Sequence, residues 1–121
     1  MTLTKTILVT TEFHAKPKGR YKDDAPGCEF TSGEVFREKY LVSALKSYDK
    51  VIVDLTGYNR YGRSFLDEAF GGLISRNGFT KKQLDEKLVI KHDSVKNFVT
   101  TAEERIQAAE NRRKNDYLDK I

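Results

Sequence analysis

Between Tyr58 and Ser64 the chain reads YNRYGRS, which puts two phenols, two guanidiniums, an amide and a hydroxyl into seven residues. Groups of this kind recognise rather than react. Tyrosine and arginine are enriched where protein partners bind, and arginine forks grip carboxylates and phosphates through paired N–H bonds. Tyr58, Asn59, Arg60, Tyr61 and Arg63 are therefore expected to face solvent as a contact surface, on a turn bracketed by Gly57 and Gly62. The alternative is that one tyrosine packs on the end of a sheet and the rest are merely solvated. Ser64 falls where a helix should begin, so it is expected to cap that helix by accepting from the Asp67 amide. The same terminus, with Arg60 and Arg63 beside it, would also hold a phosphoserine or an external anion.

Other reactive side chains are isolated from one another. Cys28 is the only cysteine, so no internal disulfide forms and a reducing, cytoplasmic setting is expected. No histidine lies in a partner motif that would make it a nucleophile. His14 and His92 lack ligand spacing with Cys28 or with each other, so no metal site is expected. Asp67 and Glu68 are neighbours on a helix, where side chains diverge by about 100° and form no catalytic dyad. There is no glycine-rich phosphate loop and no Ser/His/Asp set in a recognisable context. Neither catalysis nor a cofactor is expected.

The elements that must position the 58–64 run follow from patterning. With 121 residues, 38% hydrophobic and 33% charged, the chain suits one folded domain with a single core rather than a disordered one. No apolar run is long enough for a membrane span, and MTLTKTILVTTEF carries no secretion signal. The net charge of +4 permits an acidic partner or nucleic acid without demanding either. Leu3 to Thr10 alternates as a strand, and Lys16 to Phe30, with both prolines, is a long loop. Thr31 and Glu34 form a capping box opening a helix to about Ser47.

Val51 to Leu55 is apolar without alternation, as in a strand covered on both faces. A second helix spans Ser64 to Asn77, and the pair Gly71-Gly72 within it implies close approach of another backbone. Thr80 to Gln83 makes another capping box, and Leu88 to Lys91 is a short strand. Ser94 caps a long helix whose tail, about residues 110–121, is almost wholly polar and is either a solvated helix end or disordered. This alternation predicts an α/β domain of two or three layers on a small, mostly parallel sheet of about four strands.

Ser32-Gly33-Glu34 with Phe36-Arg37, then Val51 to Leu55, then Tyr61 to Leu73 resemble the STAS-like domains of unknown function of bacteria and their phages. The resemblance covers roughly residues 19 to 92 and is most specific at SFLDEAFGG. More distantly it implies the fold of sulfate-transporter and anti-sigma-factor-antagonist domains. In the antagonists the corresponding loop ends in a serine that a partner kinase phosphorylates, and Ser64 occupies the matching position. Here Gly62 and Phe65 stand where the antagonists carry an acidic residue and a glycine. Some STAS-like members accompany histidine-kinase-type ATPase domains, which implies a regulatory partner.

The leading expectation is a non-catalytic interaction module that docks a protein partner, a kinase-like ATPase or a host complex. Its surface would be the 58–64 loop, the following helix and the Gly19–Phe30 loop. A second reading is a small basic, phage-type protein that binds nucleic acid or a host nucleoprotein complex as an inhibitor. That reading rests on Tyr21, the loop tyrosines and the cluster Arg112-Arg113-Lys114. An enzyme using Cys28 or Ser64 comes last. Pairing of two copies through the glycine-flattened helix or the C-terminal helix also stays open.

Overall fold

The computed structural model describes residues 3–119. The chain begins with β1 (Thr4–Leu8), whose end winds into a single π turn, Val9–Phe13, where the sequence pattern predicts two further strand residues. After a loop comes the short α1 (Cys28–Thr31), then α2, residues 33–47, in which a π stretch (Arg37–Leu41) divides two α-helical parts. Next are β2 (Lys50–Asp54) and α3, residues 63–75, which is likewise divided by a π stretch, Asp67–Gly71. The chain ends with α4 (Lys81–Lys87), β3 (Leu88–Lys91) and the long α5 (Lys96–Asp119). The polar segment after Ala109 is thus a solvated helix end as far as Asp119; residues 120 and 121 of the expected tail lie outside the described residues.

The sheet has three strands among the described residues, one fewer than expected, in the order β1-β2-β3. Both pairings are parallel, with Ile7 beside Val53 and Val53 beside Ile90. Strands are added in one direction only. Crossovers between parallel strands are right-handed in nearly all cases, so both connections pass over the same face. That face carries Ile7, Val51 and Val53, buried beneath Phe36, Leu41, Leu45, Phe65, Phe70 and Leu73. No described residue covers the opposite face, contrary to the reading of Val51 to Leu55. Leu8 and Val89 are 44% and 39% exposed, and Ile52 and Asp54 between them are half-buried. The architecture is therefore two-layered.

Close approach holds the helix layer together. A Cβ on Gly33 would collide with the Phe65 carbonyl oxygen, so glycine lets the start of α2 rest on the α3 backbone. A Cβ on Gly71 would stand 3.1 Å from the Arg105 carbonyl oxygen of α5, which confirms the backbone contact expected of the glycine pair. Ala102, Ile106 and Ala109 bury the matching face of α5. Phe13, from the π turn, closes the core above α2, its ring 5.2 Å from that of Phe36.

Helix caps differ from expectation at α2, α3 and α5. The Thr80–Gln83 capping box is present with both bonds. At α2, however, Ser32 rather than Thr31 accepts from the Val35 amide, and Glu34 turns away to accept from the Lys22 amide. Before α5, Ser94 bonds Asp93, while His92 Nδ1 accepts from the amides of Ser94 and Val95.

Candidate functional site

Because the strands are parallel, the residues that leave them all emerge at one end, where open α/β sheets bind ligands. The loop from Thr56 to Gly62 lies there, and it is fastened by its backbone. Thr10 Oγ1 donates to the Thr56 carbonyl at 2.8 Å, and the Asp93 amide donates to Thr56 Oγ1 at 3.0 Å. Gly57 has a φ of 105°, a left-handed conformation that glycine adopts without strain. His92 Nδ1 accepts two amide protons, so its Nε2 carries the hydrogen and donates to the Tyr58 carbonyl at 2.8 Å.

Tyr61 is the main anchor, which corrects its assignment to the exposed contact surface. It is 5% exposed, and its hydroxyl donates to the Leu55 carbonyl at 2.9 Å. Its ring stands edge-on to Tyr58 at 5.1 Å and to Phe98 at 5.2 Å. Burial pushes the phenol well above its ordinary ionisation range, with the Asp54 carboxylate adding to the shift. Tyr58 is half-buried against the same cluster. The remaining four side chains of the expected surface, Asn59, Arg60, Arg63 and Ser64, are all exposed.

Ser64 does not cap its helix. The helix starts one residue early, at Arg63, so Gly62 takes the cap position with no side-chain bond, and the Ser64 hydroxyl lies in the first turn facing solvent. Beside it, between the start of α3 and the start of α5, runs an open groove of about 350 Å³. Arg63 and Leu66 form one wall, and Asn97, Phe98 and Thr101 the other.

Two residues further along α3, a second constellation appears that the spacing of charges did not suggest. Arg37, on α2, is 2% exposed and donates Nη1 to Glu68 Oε2 at 2.7 Å and to the Glu68 carbonyl at 2.5 Å. The carbonyl is available for a structural reason. The Gly72 amide bonds back to Asp67, five residues away, and the return to ordinary α spacing leaves a carbonyl of the π stretch without a helical donor. Gly72 leaves space for the guanidinium, which a Cβ there would strike. Arg37 Nε is buried without a partner.

Asp67 diverges from Glu68 as adjacent helical residues must. It accepts from Arg20 Nη1 at 2.5 Å and from Arg105 Nε at 3.0 Å. Partial burial works to raise its pKa, but the bonds from Arg20 and Arg105 outweigh this and hold the carboxyl below its usual range. Arg76 reaches Glu68 at 3.3 Å and lies over the Tyr21 ring. The SFLDEAFGG segment is therefore where the 19–24 loop, α2 and α5 are tied to α3. A legible signal did exist: Glu68 stands three residues after Phe65 and four before Gly72, on the apolar stripe, and so needed a buried cation.

The residues considered for other chemistry are dispersed. Cys28 is buried, its sulfur against Gly19. His14 Nδ1 accepts from the Lys16 amide, far in sequence from His92. Among the described residues no group of three or more His, Cys, Asp or Glu side chains converges as a metal site, and no helix is long and apolar enough to cross a membrane. In the basic tail cluster, Arg113 is bound to Glu110.

No curated protein and no solved structure matches the chain. One family model does match, over residues 32–97, from the Ser32 cap to the first turn of α5, beginning and ending later than the resemblance read from the motifs. That segment holds both the fastened loop and the Arg37–Glu68 pair and makes up more than half of the sequence, so the chain belongs to the family described as STAS-like domain of unknown function (DUF4325).

Proposed function

We propose that the chain is a non-catalytic, regulatory interaction module that docks a protein partner through the 58–64 loop and the start of α3. The observation that carries this reading is the division of labour within the loop. Thr56, Tyr58 and Tyr61 fasten the backbone, which leaves Asn59, Arg60 and Arg63 projecting from a rigid support. Rigid presentation lowers the entropy cost of binding, and arginine is a preferred anchor at interface centres. The adjoining groove offers half-buried Phe98 as apolar contact beside Arg63. A partner with an acidic rim and an aromatic or aliphatic knob fits both features. The regulatory half of the reading rests on Ser64, whose exposed hydroxyl stands between Arg63 and the free amides of the first turn, where an added phosphate gains charge-assisted bonds.

The test uses a photo-crosslinking residue at position 59 and, as a control, at exposed Lys46 on α2, in bacterial lysate. A discrete protein adduct from position 59 alone, abolished by Arg60→Glu with Arg63→Glu, is expected. Adducts that form equally from both positions, or that survive the charge reversal, refute the docking surface. With the partner in hand, Ser64→Asp is expected to change its affinity at least tenfold while Ser64→Asn does not. Equal affinities would remove the switch.

A further inference from the structure

Carboxylates and guanidiniums do not balance around the middle of α3. Arg20, Arg37, Arg76 and Arg105 all lie within ion-pair distance of Asp67 or Glu68, four cations on two anions. Arg37 is sealed behind Glu68, but the other three line a small cavity of about 120 Å³, and Arg112 of α5 lines it too. Arg112 pairs with no carboxylate among the described residues. The cavity is therefore lined by four arginines and two carboxylates, a surplus of two positive charges. A purely structural clamp would gain nothing from that surplus, because like charges held together repel.

The remaining wall is equally suited to an anion. The Tyr21 hydroxyl accepts from Arg76 Nη2 at 3.0 Å, which leaves its own hydrogen free to donate. Ser75 adds a second hydroxyl, whose bond to the Gly71 carbonyl is long at 3.4 Å. Asp67 and Glu68 do not oppose an incoming anion as free carboxylates would, since each is already bonded by arginine. A cation would find only Glu68 Oε1, which has Arg20 Nη1 at 3.8 Å, among four lining guanidiniums. In volume the space equals that of about four water molecules in the liquid, enough for one tetrahedral oxyanion and too little for a larger organic body.

We infer that this cavity binds a phosphate group, free or as the terminal phosphoryl of a small molecule, held by Arg20, Arg76, Arg105 and Arg112 with Tyr21 and Ser75 as hydroxyl donors. The site lies apart from the 58–64 loop, although Arg105 lines both this cavity and the groove beside α3. Its ligand ties the 19–24 loop and α5 to α3, so occupancy stabilises contacts that lie outside the family segment as well as within it.

The experiment is a titration of the full chain with sodium phosphate at constant ionic strength, read by melting temperature and by 31P linewidth. Saturable stabilisation is expected, since a ligand of the folded state raises the melting point in proportion to RT ln(1 + [L]/Kd). Arg112→Ala, which breaks no ion pair, is expected to weaken binding at least tenfold without altering the ligand-free melting point. Arg76→Ala is expected to weaken binding as well, and also to lower the ligand-free melting point, because it removes the contacts to Glu68 and Tyr21. Methyl phosphate binding more tightly than inorganic phosphate assigns the site to a phosphomonoester, and the reverse order assigns it to the free ion. Non-saturable effects matched by sodium chloride, or undiminished binding by Arg112→Ala, overturn the inference.

Discussion

Residues 58–64 and 65–72 follow one another without a break, yet they use similar chemistry in opposite ways. In the loop the backbone is the part held down, by Thr10, His92 and the Tyr61 hydroxyl, and the arginines stay free. In the helix the charged side chains are the part held down. Glu68 is 4% exposed and Asp67 is clamped between two arginines, while two glycines admit neighbouring groups against the backbone. Charge that is exposed is available for recognition and contributes little to stability. Charge that is buried and bonded becomes part of the scaffold, and its loss is severe.

The strongest way to break this contrast is to remove one member of the buried pair. Glu68→Ala leaves the Arg37 guanidinium in the core with only Glu38, at 3.7 Å, as counter-charge and is expected to cost about 3–5 kcal/mol in urea unfolding. Arg37→Ala is expected to cost less, because Arg76 still reaches Glu68. Replacing both with apolar residues, Arg37→Met with Glu68→Leu, is expected to cost less than either single change. A double variant as unstable as the singles would mean that the pair holds the helices together rather than merely tolerating burial. Tyr61→Phe comes next: it deprives the Leu55 carbonyl of its donor, with an expected loss of about 1–2 kcal/mol.

Acid probes the clamp more gently. The Asp67 pKa is lowered in the folded state, so its stabilising contribution is present above the ordinary carboxylate range, about pH 4, and disappears as pH falls through the lower folded value. Asp67→Asn is expected to flatten that part of the stability–pH curve between about pH 5 and pH 2. The smallest effect belongs to the loop. Arg60→Ala with Arg63→Ala is expected to shift stability by no more than about 0.5 kcal/mol while abolishing the position-59 crosslink. A large destabilisation would erase the difference between the two halves.

How far these halves could be read from residue order differs accordingly. Helices appeared through three- and four-residue apolar steps and strands through β-branched runs, because burial of one face imposes those periods. The loop's arginines were legible as exposed because nothing nearby in the chain competes for them. Tyr61 was not, since His92 and Phe98 meet it only once β3 and α5 are in place. The Arg37–Glu68 and Arg20–Asp67 pairs join segments far apart in sequence, and no local pattern announces such partners. Ser64 and Thr31 failed as caps for a simpler reason. Two residues fit for the position stood side by side in Thr31-Ser32, and α3 began one residue earlier than its polar start suggested. The uncovered sheet face depends on the direction in which strands are added, which composition does not encode.

That one-way order of strands also governs how the molecule must assemble. Thr4 meets Lys50 and Val51 meets Leu88, and among the described residues no hairpin exists to nucleate the sheet. Every strand pairing must therefore wait for a long loop to close, which slows formation of the sheet relative to a hairpin. During synthesis the first strand would remain unpaired until β2 has emerged, with Ile7 and Val9 exposed in the meantime.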